Sequence, residues 1–261
     1  QETKDPEGGQ ASQQHGPRGP LNLVWSACVD QVMLAKSLAV DKGIGSIMVT
    51  VWLVTLGGNL HNPVISFFYQ GLGMSPEEIG IAGVIMTFGG LCLGPAYGWI
   101  LDKRSAFLAV VLSLSSCGFA CLARGLATSV GGVYAASSIM ALGGMTFEAM
   151  ALATVARYVA IGQRSLVIAG FLFQVKVLGI AGRAMYPGWH LIVSDLVGIQ
   201  DPMVRYRLAI CLCITPCLAG FFVLLLQWKR FGDLEEKARA RIEEDAQPLS
   251  DQGLVSESGQ M

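Results

Sequence analysis

Charge is scarce in this sequence. Asp, Glu, Lys and Arg make up 14% of its 261 residues, against 52% hydrophobic ones, and the mean hydropathy is +0.52. Soluble domains carry about 25% charged residues, so water is not the solvent for most of this surface. Basic excess is also lacking: the net charge of −1 leaves no cationic face for nucleic acid. Histidines number only three, and no His-Glu-x-x-His helix or Gly-x-Ser-x-Gly elbow occurs. Acids inside the apolar blocks are too few for an aspartyl dyad, so no enzymatic activity is expected. Of seven cysteines, Cys92, Cys117, Cys121, Cys211, Cys213 and Cys217 lie inside apolar blocks without paired zinc-ligand spacing. They read as small hydrophobes, and neither metal nor cofactor is expected. An early apolar core is missing from residues 1–20, which excludes a secretory signal there. Beginning at Gln1, the chain reads as a fragment or a processed protein.

What the sequence does contain is a series of long apolar blocks, each near the roughly 20 residues that cross a bilayer as a helix. Six spans are expected, about Ile44 to Tyr69, Ile79 to Leu101, Ser105 to Ala123, Val130 to Ala156, Ser165 to Trp189, and Leu208 to Trp228. The fold class is therefore an all-α membrane protein, a six-span bundle over residues 44–228. Residues 1–20, rich in Gln, Gly, Pro and charge, bury too little apolar area to offset chain entropy and are expected to be a disordered tail. Over residues 21–43, Leu21, Val24, Trp25, Cys28, Val32 and Ala35 recur at helical spacing while Asp30, Lys36 and Asp41 interrupt, which fits an amphipathic interfacial helix. Residues 229–261 alternate charge as a solvated helix does and then become rich in Ser and Gln. An even number of spans puts both tails on one side. Lys36, Lys42, Lys103, Arg104, Arg157, Arg164, Lys229 and Arg230 outnumber Arg124, Arg205 and Arg207 opposite, so that side is expected to be cytosolic, in a membrane the residues do not identify.

Two links between spans carry more than length. Gly98-Trp99-Ile100-Leu101-Asp102-Lys103-Arg104 is a short turn in which Gly98 would let helices approach, Asp102 could cap the helix starting near Ser105, and Lys103 and Arg104 hold the turn in the cytosol. An ordinary positive-inside loop is the plainer reading of the same residues. Upstream, in the link Tyr69 to Gly80, Ser75 is a candidate N-cap with Glu78 as its capping-box partner. Together with the span count, these links resemble one half of the major facilitator superfamily, whose signature between its second and third helices is Gly-x-x-x-Asp-[Arg/Lys]-x-Gly-[Arg/Lys]-[Arg/Lys]. Gly98, Asp102 and Lys103 match, whereas Ser105, Ala106 and Phe107 replace the remaining glycine and bases. The resemblance, covering about Ile44 to Trp228, favours an N-terminal half. It implies alternating-access transport of a small solute against a second six-helix half or another copy. Ile139 and Met140 precede Gly143 and Gly144 where proton-coupled members carry arginine, and the antiporter glycine pattern is only loosely echoed at Gly179, Gly182, Pro187 and Gly188. The resemblance thus supports neither proton coupling nor an antiporter.

Charged residues inside the spans are the strongest candidates for a solute path, because an ionised group facing lipid is costly. Glu148 and Lys176 lie about 12 and 16 Å from the cytosolic end by helical rise and could pair. Lys176 and Arg183 share a face with Gly179, forming a cationic stripe suited to an organic anion. The competing reading is a structural Glu148–Lys176 bridge, with Arg183 extending to the outer interface. In the first span, Gly57, Gly58, Asn59, His61, Asn62 and Pro63 form a polar, helix-weakening cluster that either kinks a cavity-lining helix or packs it against neighbours. His61 by itself reads more readily as a satisfied interface residue than as a proton carrier. Gln174 is a weaker contact candidate. The expected partners are the lipid bilayer, a small solute and a second half. A scaffold or receptor-like subunit that kept the bundle without the path is the alternative from a different class.

Overall fold

A computed structural model describes residue 29 and residues 42–159, 161–192, 195 and 197–246. The expected tail over 1–20, nearly all of the expected interfacial helix, and residues 247–261 lie outside the described residues. Eleven α-helices follow in order among the described residues. They are α1 (Lys42–Asn59), α2 (Ile65–Gly71), α3 (Pro76–Lys103), α4 (Ala106–Leu126), α5 (Val130–Ala141), α6 (Phe147–Tyr158), α7 (Arg164–Ala184), α8 (Tyr186–Leu191), α9 (Pro202–Leu212), α10 (Ile214–Leu226) and α11 (Trp228–Ala246).

Short polar side chains start several of them. Ser75 accepts from Glu78 N–H while the Glu78 carboxylate accepts from Ser75 N–H at 2.8 Å, the expected capping box. Ser105, Ser129 and Asp201 cap α4, α5 and α9, each side chain accepting one first-turn N–H. Asp102 therefore does not cap α4; Ser105 lies closer to the first free N–H groups and takes that role.

Four segments are long and apolar enough to cross a bilayer: Pro76–Lys103, Ala106–Leu126, Arg164–Trp189 and Pro202–Leu226. A fifth arises if α5 and α6, bent by 44° around Gly144–Thr146, are one broken span. The expected span Val130 to Ala156 is thus not one straight helix. The first expected span divides too, into α1 and α2 around a turn at 60–64, where Pro63 supplies no N–H to continue the ladder.

Helix α1 is the hub, packing against α10, α7 and α6, while α4 packs against α5, α9 and α10. Small residues permit this closeness: a Cβ on Gly57 would stand 2.5 Å from Pro216 Cγ. Thr50 Oγ1 donates to Ser46 O at 2.8 Å and lies 3.2 Å from Gly220 O, tying α1 to α10. Outward faces carry exposed Val84, Phe88, Leu91, Phe119, Phe222 and Leu226, an arrangement stable against hydrocarbon rather than water.

Helix α11 is not solvated all round. Phe231, only 2% exposed, packs on Phe107 with ring centroids 4.8 Å apart and on Tyr158 at 6.4 Å, and Ala238 is buried as well. The Glu235 carboxylate accepts from Ala106 N–H, adding a charged acceptor at the N-terminus of α4, and Arg239 Nη2 donates to Arg104 O at 3.4 Å.

Candidate functional site

Where α1, α6 and α7 meet, an open cavity of about 360 Å³ is lined by Thr55, Asn59, Glu148, Val175, Lys176, Gly179, Ile180 and Arg183. Its size lies in the ~300–1,000 Å³ range of small-molecule sites. Each wall has a local cause. Glu148 is in the first turn of α6, where an acid is favoured by the helix dipole. Lys176, Gly179 and Arg183 follow helical spacing on α7, as expected. α7 is drawn close to α1 by Gly182, where a Cβ would stand 2.3 Å from Leu56 O.

Hydrogen bonds orient the amides. Asn59 Nδ2 donates to Thr55 O at 2.7 Å, and its Oδ1 accepts from Asn62 Nδ2 at 2.7 Å and from Arg183 Nε at 3.4 Å. Arg183 is thus directed to the cavity rim instead of away from it. Glu148 is within the electrostatic reach of Lys176 and faces the Thr55 hydroxyl. Neither Lys176 nor Arg183 forms an ion pair with Glu148 within 4.0 Å, so the structural bridge is absent among the described residues. Glu148, Lys176 and Arg183 are all exposed on the chain.

Three expected residues do not line the cavity; Asn62 reaches it only through Asn59, and the other two are placed elsewhere. His61 is buried at 5% exposure, its Nδ1 3.1 Å from Cys213 Sγ, behind α1 rather than on the cavity. The Gln174 Oε1 is taken by Trp52 Nε1 at 3.0 Å, so it joins α7 to α1 and does not line the cavity. Thr55 was not singled out in the sequence, because a threonine in a span reads as a residue bonded to its own helix.

The turn after α3 forms a second locus. Arg157, in the last turn of α6, reaches Asp102 Oδ1 at 3.6 Å and donates to Leu101 O at 2.8 Å. With Ala153, Ala156 and Arg164 these residues line a second recess. Sequence reading counted Arg157 only as a positive-inside charge. Lys103 and Arg104 are exposed. No atom lies within 4 Å of a Cβ built on Gly98, so that glycine serves no helix contact among the described residues. Among the described residues no group of three or more His, Cys, Asp or Glu could hold a metal ion.

Comparison with known proteins gives one family. The model of the Major Facilitator Superfamily matches residues 47–255, well over half of the chain. No curated protein matches it.

Proposed function

This chain belongs to the major facilitator superfamily, and from that premise we propose that it forms one six-helix half of a secondary transporter that moves a small organic anion by alternating access. The family carries secondary transporter activity, and the apolar helices make the chain a multi-pass membrane protein. The observation that carries the finer reading is the cavity itself: polar groups from α1, α6 and α7 converge on open space inside an otherwise apolar bundle. Lys176 and Arg183 against one Glu148 leave a net positive charge there, which favours an anionic solute. The open face would be closed by a second half or a second copy, which makes the two halves rock about a shared site. The Asp102 turn, with Lys103, Arg104, Arg157 and Arg164 around it, belongs on the cytosolic side by the excess of bases. Removing the α6 tie at Arg157 would then free the inner ends of α3 and α6 to separate.

The test is uptake of a pooled library of organic anions into proteoliposomes, with insertion checked for wild type, Lys176→Ala and Glu148→Ala. Accumulation by wild type, lowered at least about tenfold in Lys176→Ala by loss of a charged contact worth ~1.5–3 kcal/mol, is the expected result. Uptake unchanged in both variants would remove the cavity from the path. No uptake, even with the complementary half co-reconstituted, would favour a scaffold.

A further inference from the structure

The recess beside the Asp102 turn shares no lining residue with the cavity of α1, α6 and α7. Its volume is about 300 Å³, walled by Leu101 and Asp102 from the end of α3, Ala153, Ala156 and Arg157 from α6, and Arg164 from the start of α7. The apolar spans Pro76–Lys103 and Arg164–Trp189 end and begin at this point, so the recess lies where a bilayer passes from hydrocarbon to headgroups. Trp99, 55% exposed one turn before Lys103, and Leu166, 51% exposed just inside α7, mark the apolar side of that level.

Charges in the recess do not balance. Arg157 Nη1 donates to Leu101 O at 2.8 Å and lies 3.6 Å from Asp102 Oδ1, which fixes its guanidinium on the wall. Arg164 Nε donates to Val159 O at 3.4 Å, and no carboxylate lies within 4.0 Å of Arg164 among the described residues. Two guanidiniums against one carboxylate leave the lining net positive, and exposed Lys103 and Arg104 adjoin it. Ala153 and Ala156 add little bulk, so the space between the two arginines stays open. We infer that this recess holds the phosphate of an anionic phospholipid, with Arg157 and Arg164 donating to its oxygens and the acyl chains lying on the exposed apolar faces of α3 and α7. Guanidinium groups match phosphate oxygens in pairs, and basic pockets between span ends suit such headgroups. Depth in the bilayer favours a lipid over a soluble phosphate, and the positive lining opposes the quaternary ammonium of a choline headgroup. The site requires only that the helices cross a bilayer; it depends neither on transport nor on which side the turn faces.

The full chain is purified in a maltoside detergent, and its unfolding midpoint is followed by intrinsic fluorescence while phosphatidylglycerol is added to the micelles at constant ionic strength. Wild type should gain roughly 5 °C and saturate. Arg164→Gln should need about five- to tenfold more lipid for half the effect. Asp102→Asn, which removes a competing acceptor from Arg157, should need about two- to threefold less. A loss of packing alone would not move the two variants in opposite directions. An unmoved wild-type midpoint, an equal rise with phosphatidylcholine, or an unchanged response in Arg164→Gln overturns the site. So does an equal rise with phosphatidylethanolamine, which would assign the recess to an ammonium group on Asp102. Glycerol phosphate without lipid should leave the midpoint in place, and a saturable rise with it would make the ligand a soluble phosphate and overturn the lipid assignment. Should Arg164→Gln fail to fold, Asp102→Asn still decides, because a lipid response that is unshifted or weaker there contradicts a phosphate held by Arg157.

Discussion

At the scale of single residues, Arg157 and Asp102 are unequal partners. The Asp102 side chain is 71% exposed and that of Arg157 only 14%. An ion pair so open to solvent is worth at most about 1 kcal/mol. The bond from Arg157 to Leu101 O is sheltered and charge-assisted, contributing about 1.5–3 kcal/mol. Asp102→Asn is therefore expected to lower stability by less than ~1 kcal/mol, and Arg157→Leu by ~2–3 kcal/mol, read from thermal unfolding in detergent. Equal effects would mean that the ion pair, not the carbonyl, holds the turn. The same asymmetry explains why Asp102 drew notice in the sequence and Arg157 did not: a motif records residue types in a row, whereas shelter depends on which helix end folds over the turn.

Among the elements, the broken α5–α6 pair has its carbonyls satisfied by side chains. Tyr97 Oη donates to Leu142 O at 2.6 Å, Ser116 Oγ to Ile139 O at 2.6 Å, and Thr146 Oγ1 to Gly143 O at 2.8 Å. In hydrocarbon those groups have no water to turn to, so a bend persists only where such donors are supplied. Gly143 is required because a Cβ there would meet Tyr97 Oη at 2.1 Å and the Ser113 backbone at 3.2 Å. Gly143→Ala should cost ~2–3 kcal/mol, and Tyr97→Phe in the same chain should not restore it, since the ring carbon Cζ and Ser113 Cα still obstruct. Tyr97→Phe alone should cost ~1–2 kcal/mol from the carbonyl left wanting. Thermal midpoints of the three variants check this, and full rescue in the double variant would refute the steric account. Because Glu148 begins α6 and Arg157 ends it, this bend also sets how the cavity wall is aimed relative to the Asp102 turn.

For the whole molecule, the apolar residues face outward on most sides while the polar groups of α1, α6 and α7 share one open face. Lipid can cover the former at no cost, but not the latter. Water or a second bundle must cover it. In a Cys92→Ser background, which removes an exposed thiol, Ile180→Cys beside the cavity should react with a membrane-impermeant maleimide, and added solute should slow the reaction. Leu226→Cys, 81% exposed on the apolar exterior, should react at least ~10-fold more slowly because a charged reagent does not enter hydrocarbon. Equal rates at the two positions would place the cavity face in lipid and contradict the path.

Much of this architecture is settled by the sequence alone, because it rests on local terms. Apolar block length against bilayer thickness decides that the helices cross a membrane, Ser75 and Glu78 start α3 through groups three residues apart, and Pro63 interrupts the first span where its missing N–H falls. The helical spacing of Lys176, Gly179 and Arg183 likewise puts them on one face before any packing is known. Tertiary structure alone decided the rest: that His61 turns from the cavity to Cys213, that Gln174 is taken by Trp52, that Phe231 seats α11 on Phe107, and that Arg124 is buried without a carboxylate. Each of these joins groups distant in the chain, and their partners are set by how closely helices approach, a quantity governed by side-chain volume at contacts such as Gly57–Pro216 and Gly182–Leu56 rather than by any local pattern.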